Sequence, residues 1–153
     1  MSIKVGDTAP DFTLRDDQNE EVTLSSFRGE KSVTLVFIPF AFTAVCQGEL
    51  CDLRDNLASF QSADNVLLAI TCNTRHSLAA WKAQEGFTFP LLSDFWPHGA
   101  VATAYDCFND QLGCAMRQTV VIDKQGVIVD VFASGGLGEA RDAASYTAAL
   151  EKV

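Results

Sequence analysis

The stretch Val33-Thr34-Leu35-Val36-Phe37-Ile38-Pro39-Phe40-Ala41-Phe42-Thr43-Ala44-Val45-Cys46 decides how the chain is read. Residues 33–38 form a continuous apolar, β-branched run of strand length, as expected of a strand buried on both faces. Pro39 ends it, because proline has no N–H for the ladder. Thr43 is a suitable helix N-cap, with Ala44 and Val45 opening the first turn and Cys46 at its third position. A capping box would put a carboxylate there. Here a thiol takes the place, beside N–H groups without helical partners and at the positive end of the helix dipole. That is a setting for a thiolate.

An ordinary cysteine is only a few per cent ionised at neutral pH. Making one mostly thiolate takes roughly 3.4 kcal/mol. A helix terminus supplies about 0.3–1 kcal/mol, up to about 2 when partly buried. A nearby cation is therefore required as well.

Downstream of Thr43 a helical pattern continues to about Phe60, with Leu50, Leu53, Leu57 and Phe60 on one stripe and Cys46 on the same stripe. A small core hydrophobe is thus the alternative reading of Cys46. Val66 to Thr71 is a second buried strand, so residues 33–71 form a β-α-β crossover. Thr74 or Ser77 caps the next helix, which carries Leu78, Trp81 and Lys82 and stops at Gly86. Leu91-Leu92 is a short extended piece, and Pro97 to Tyr105 reads as a short helix. Residues 118–122 and 127–132 are strands joined by Asp123-Lys124-Gln125-Gly126, and a last helix runs from about Glu139 to Leu150. Upstream, 12–14 and 22–24 alternate apolar and polar around the polar run 16–20, a hairpin, and Ser25 to Lys31 is a turn region. The expected architecture is α/β: one thioredoxin-like domain over 1–153, with a mixed central sheet flanked by helices, an N-terminal β-hairpin and an insertion near 87–105.

Arg117 stands immediately before the strand 118–122. If that strand pairs antiparallel with 33–38, its start lies beside Pro39 and Cys46, and Arg117 supplies the missing cation. A solvated arginine at a strand edge is the other reading.

Pro39, Thr43 and Cys46 spell P-x-x-x-T-x-x-C. The pattern resembles the active-site signature of the peroxiredoxins. The strings PFAFTAVCQGELCDLRD and FTFPLLSDFWPHG resemble the alkyl hydroperoxide reductase E group over nearly the whole chain. The resemblance implies a thiol-dependent peroxidase in which Cys46 attacks the peroxide. Arg117, Thr43 and the amides of Val45 and Cys46 would bind substrate, with Pro39 as a shield. At Glu49 the matching position helps orient the arginine; a solvated helix carboxylate is the alternative. It also implies a homodimer, acceptance of fatty-acid hydroperoxides, and a thiol reductant: a low-molecular-weight thiol such as mycothiol, or a mycoredoxin- or thioredoxin-like protein.

Cys51 gives C-x4-C with Cys46, a placement similar to the bacterioferritin-comigratory (Q-type) peroxiredoxins, where the second cysteine resolves the sulfenic acid within the chain. Five residues turn about 140° around a helix, which puts Cys51 off the apolar stripe, towards Gln47, Arg54 and Asp55. In an intact helix the two Cα atoms are ~8–9 Å apart, and a disulfide needs less than about 7 Å. Resolution by Cys51 therefore requires the first turns to unwind; otherwise an external thiol serves.

Cys72 is a core residue or a backup resolver, and Cys107 and Cys114 read as packing. The spacings of Cys72, His76, His98, Cys107 and Cys114 match no closed zinc site, so no metal or cofactor is expected. Gly135-Gly136-Leu137-Gly138 spells the GGLG string of oxidation-sensitive peroxiredoxins, but it follows the last strand and reads as a flexible turn.

Composition narrows the classes. The chain has 153 residues, 48% hydrophobic and 20% charged, which suits one globular domain with a full core. A net charge of −9 argues against nucleic acid and anionic membranes as partners. The start, MSIKVGDTAPDF, carries no apolar signal region, and no run reaches spanning length. Five cysteines in such a chain suggest a reducing cytoplasm rather than a disulfide framework. A thiol–disulfide reductase on this fold would want C-x-x-C, and Cys46-Gln47-Gly48-Glu49 lacks the second thiol. A non-enzymatic peroxide sensor using the same thiol is the other rival.

Overall fold

The computed structural model describes residues 3–55, 64–134, 141, 143–150 and 152–153; for 45–47, 143–144, 147 and 150 it describes the backbone alone. The strands are β1 (Thr13–Asp16), β2 (Glu21–Thr23), β3 (Ser32–Phe37), β4 (Asn65–Thr71), β5 (Leu91–Ser93), β6 (Phe108–Asn109), β7 (Cys114–Ala115), β8 (Gln118–Ile122) and β9 (Ile128–Ala133). The helices are α1 (Ala44–Asp55), α2 (Arg75–Glu85), α3 (Ala100–Ala104) and α4 (Ala143–Leu150).

Seven strands form one sheet in the order β2-β1-β5-β4-β3-β8-β9. β3, β4 and β5 run parallel, and β1 and β8 add antiparallel to either side. This is the mixed, thioredoxin-like sheet that the sequence predicts, with its N-terminal hairpin β1–β2. β3 lies near the middle, and all six of its residues are buried, as a two-sided apolar run requires.

Alternation along β3 and β4 divides the core. Leu35, Phe37, Leu68 and Ile70 join Val120, Ile122 and Tyr105 in one cluster. Val36, Ile38, Leu67 and Ala69 join Leu50 and Leu53 of α1, Leu78 and Trp81 of α2, and Tyr146 of α4 in the other. So α1, α2 and α4 share the second cluster, and the described part of the apolar stripe, Leu50 and Leu53, packs inward.

Helix ends follow local chemistry. Thr74 caps α2 by accepting from the Ser77 amide, and Gly86 ends it at φ 70°, a left-handed conformation that suits glycine. α3 is shorter than the expected 97–105, because Gly99 starts it and Asp94 satisfies its first amides by accepting from Val101 and Ala102. A short 3-10 helix, Leu24–Phe27, occupies the expected turn region. The β6–β7 ribbon was not anticipated, since two-residue strands leave no periodicity to read. The expected end of the first helix near Phe60, the Gly135–Gly138 turn and the start of the last helix fall outside the described residues. Among the described residues, no helix is long and apolar enough to cross a membrane.

Candidate active site

β3 delivers its C-terminus to the loop 38–43. The Ile38 amide still bonds to the Ile70 carbonyl at 3.0 Å, and buried Pro39 then stops the ladder. Asn73 ties the loop to β4: its Oδ1 accepts from the Ala41 amide at 3.0 Å and from the Thr71 hydroxyl at 2.8 Å. Phe42 has a positive φ of 65°, uncommon for an aromatic residue, and its ring lies 6.0 Å from Trp81. The Thr43 hydroxyl donates to the Phe40 carbonyl at 2.8 Å, closing the turn that opens α1. Val45 and Cys46 are the second and third residues of α1, in the turn whose amides have no helical acceptor.

One helical turn after Cys46, Glu49 is buried. Among the described residues it accepts four hydrogen bonds. Arg117 Nη1 donates to Oε1 at 2.6 Å, and Arg141 donates from its backbone N and Nε to Oε2 at 2.8 and 2.9 Å and from Nη2 to Oε1 at 3.0 Å. Arg141 Nη1 also donates to the Phe37 carbonyl, at 2.6 Å. Burial alone would raise the Glu49 carboxyl, but the hydrogen bonds and charge of Arg141, helped by Arg117, outweigh it and hold it below its ordinary range. Glu49 is therefore an anion, and it holds two buried guanidinium groups.

The register explains why Arg117 is there. Phe37 pairs with Gln118, so residue 117 stands beside the strand end that leads to Pro39. The expected antiparallel pairing of 118–122 with 33–38 is what the sheet contains. Glu49 is buried against Arg117 and Arg141 rather than solvated.

Cys51 is half-buried and packs against the second core cluster. Its thiol donates to Glu85 Oε1 at 3.5 Å, and Arg54 Nη1 donates to the Glu85 carbonyl. The sequence placed Cys51 on a polar face, and Arg54 is indeed close. The end of α2 also reaches this face, so that Cys51 is half-buried against a neighbouring helix rather than fully solvated. Burial pushes the thiol up, Glu85 pushes it further, and Arg54 opposes both.

Residues 5–131 match the family model described as "AhpC/TSA family". The chain belongs to the AhpC/TSA family. It is a peroxiredoxin, a thiol-dependent peroxidase. It is 53% identical over 97% of its length to alkyl hydroperoxide reductase E of Mycobacterium tuberculosis, and covers 96% of that protein. It is 32% identical to peroxiredoxin Bcp of Bacillus subtilis, covering 84% of each chain. The crystal structure of peroxidoxin BcpB from M. tuberculosis matches with a TM-score of 0.85 and 30% identity, over 99% of this chain and 98% of that one.

The other cysteines of this peroxiredoxin are sequestered. Cys72, Cys107 and Cys114 are buried. Burial, with the charge of Asp94, pushes the Cys72 thiol up to about 12, and burial likewise raises Cys107. His98 bridges the Phe95 and Gly113 carbonyls at 3.1 and 2.7 Å. Among the described residues no group of three or more His, Cys, Asp or Glu side chains is placed to hold a metal ion. Two residues that reading the sequence missed bind the elements of this region together. Asn73 had a weak signal, since Thr71-Cys72-Asn73 follows a strand and suits an Asx turn. Arg141 had none, because its carboxylate partner is 92 residues away.

Proposed function

We propose that Cys46 is the peroxidatic nucleophile and that Arg117 supplies the cation its thiolate needs. The observation that carries this reading is the buried Glu49–Arg117 pair, 2.6 Å apart, one turn beyond Cys46 in α1. In the reaction the Cys46 thiolate attacks the terminal peroxide oxygen. An S–O bond forms, the O–O bond breaks, and the departing alkoxide or hydroxide takes a proton. The transition state carries negative charge on both oxygens, so fixed donors lower its energy. The donors are Arg117 and the amides of Val45 and Cys46, together with the Thr43 hydroxyl once it turns from Phe40. Pro39 shields the sulfur from water. Hydrogen peroxide and organic hydroperoxides, fatty-acid hydroperoxides among them, are the substrates.

The resulting Cys46 sulfenic acid is reduced by a thiol. We assign that step to Cys51, through unwinding of the first turns of α1. A second reading has its own support: Glu49 and buried Leu50 lie between the two cysteines, and both tie the helix down. If they hold, an external thiol or a mycoredoxin- or thioredoxin-like protein resolves Cys46 directly. The chain is further read as a cytoplasmic homodimer.

The test is peroxide consumption by wild type and Cys46→Ser, followed by peptide mapping after one equivalent of peroxide. Cys46→Ser should be inactive. Turnover above a few per cent of wild type would move the nucleophile elsewhere. Sulfenic acid persisting at Cys46, without a Cys46–Cys51 linkage, would select the external thiol.

A further inference from the structure

We propose that Glu85 is a positioning residue for Cys51: it holds the thiol on α2 as a neutral donor until α1 opens. The inference rests on the reading of Cys51 as the resolving thiol. The contact joins two helices. Cys51 Sγ donates to Glu85 Oε1 at 3.5 Å, while Glu85 Oε2 accepts from Gln84 Nε2 at 3.1 Å. Three residues past Cys51, Arg54 donates through Nη1 to the Glu85 carbonyl, so two residues of one α1 turn grip one residue of α2.

Nothing local asks for a carboxylate here. Glu85 is the last residue of α2, where the negative end of the helix dipole disfavours an anion. One carboxylate oxygen takes the Gln84 amide within α2, and the other takes the Cys51 thiol of α1. A carboxylate only accepts, so this hydrogen bond exists only while Cys51 keeps its proton. The charged groups facing the sulfur are Arg54 and Asp55 from its own helix and Glu85 from α2. Burial is the largest influence keeping the proton on, Glu85 and Asp55 add to it, and Arg54 opposes.

A neutral thiol is a poor nucleophile, so docked Cys51 neither competes with Cys46 for peroxide nor oxidises on its own. Once α1 opens, Cys51 leaves Glu85 and ionises more readily. It then attacks the Cys46 sulfenic sulfur. The S–S bond forms, the S–O bond breaks, the Cys51 sulfur is oxidised and the Cys46 sulfur reduced. The thiol proton ends on the departing oxygen, which leaves as water.

The experiment has two arms. In a Cys46→Ser chain, alkylation of Cys51 by iodoacetamide is followed by peptide mapping across pH, with Glu85 intact, Glu85→Gln and Glu85→Asp. At about pH 7.5 Glu85→Gln should alkylate about threefold faster or more, since the thiolate is the reacting species. The midpoint of its pH profile should move down, with Glu85→Asp between the two. Equal rates and midpoints in all three chains would overturn the proposal. If Glu85→Gln also makes buried Cys72 reactive, the fold has opened and Glu85→Asp decides. In the second arm the same Glu85 variants, with Cys46 present, receive one equivalent of peroxide. Faster Cys46–Cys51 disulfide formation in Glu85→Gln supports the proposal. Alkylation that tracks Glu85 with no disulfide in any chain would show the resolving assignment to be wrong, and with it the role of Glu85 in the reaction.

Discussion

Glu49 sets two guanidinium groups at once, which makes it the residue whose loss should be felt most widely. Glu49→Gln keeps the shape but removes the carboxylate charge that pairs with Arg117 and Arg141 inside the protein. Leaving buried charges without a counter-charge typically costs about 3–5 kcal/mol. A urea titration should show a loss of that order. A loss under about 1 kcal/mol, the scale of an exposed pair, would mean that the cluster is solvated in solution. Arg117→Ala should instead act mainly on chemistry, slowing the peroxide step by about 10²-fold through loss of fixed transition-state stabilisation. Stopped-flow oxidation of Cys46 reads the rate. Thiolate absorbance against pH should move up, and an unchanged titration would take Arg117 out of the site. The strand before Cys46 was readable in the sequence because a short-range pattern places it, and Arg117 because it precedes a strand expected to pair with that one. The partner that completes the cluster, Arg141, was not, since only the assembled sheet brings residues 37, 49 and 141 together.

At the scale of elements, the joint between β4 and α2 separates two duties in adjacent residues. Thr74 is a cap, and Thr74→Ala should cost about 1 kcal/mol of stability with little change in peroxide reduction. Asn73 holds the loop before α1 through the Ala41 amide. Asn73→Ala frees that loop, and because small displacements of reacting groups cost up to about 10²-fold, the peroxide step should slow by about tenfold or more with little loss of stability. Denaturation midpoints measured beside oxidation rates would separate the two variants; the reverse ranking would refute both assignments. α2 itself was legible at both ends because Thr74 and Gly86 act within a few residues. The β6–β7 ribbon and the covering of Cys51 were not: the first is too short for any period, and the second depends on how α2 lies against α1.

For the whole molecule, acidity is the condition that reaches several elements together. Glu49 titrates below its ordinary value of 4.5 and Asp17 below 3.8. Asp17 is likewise lowered against its burial, by hydrogen bonds from Gln18 and the Leu91 amide and by Lys82. A carboxyl lowered in the folded state adds stability above its unfolded value, and that stability is lost as pH falls through the folded one. Asp94 works the other way, because burial raises it, and it gives back a part. The urea midpoint should hold above about pH 5 and fall steadily below about pH 4. A midpoint that rose on acidification would contradict the directions given for Glu49 and Asp17. There is also a consequence for the order in which the protein comes into being. Synthesis runs from the N-terminus, and Phe37 and Arg141, which meet in the finished site, are 104 residues apart. Contacts that close such long loops form late. On the ribosome, Cys46 therefore exists long before Arg117 and Arg141 are made, and under the roles proposed above it is an ordinary thiol during that interval.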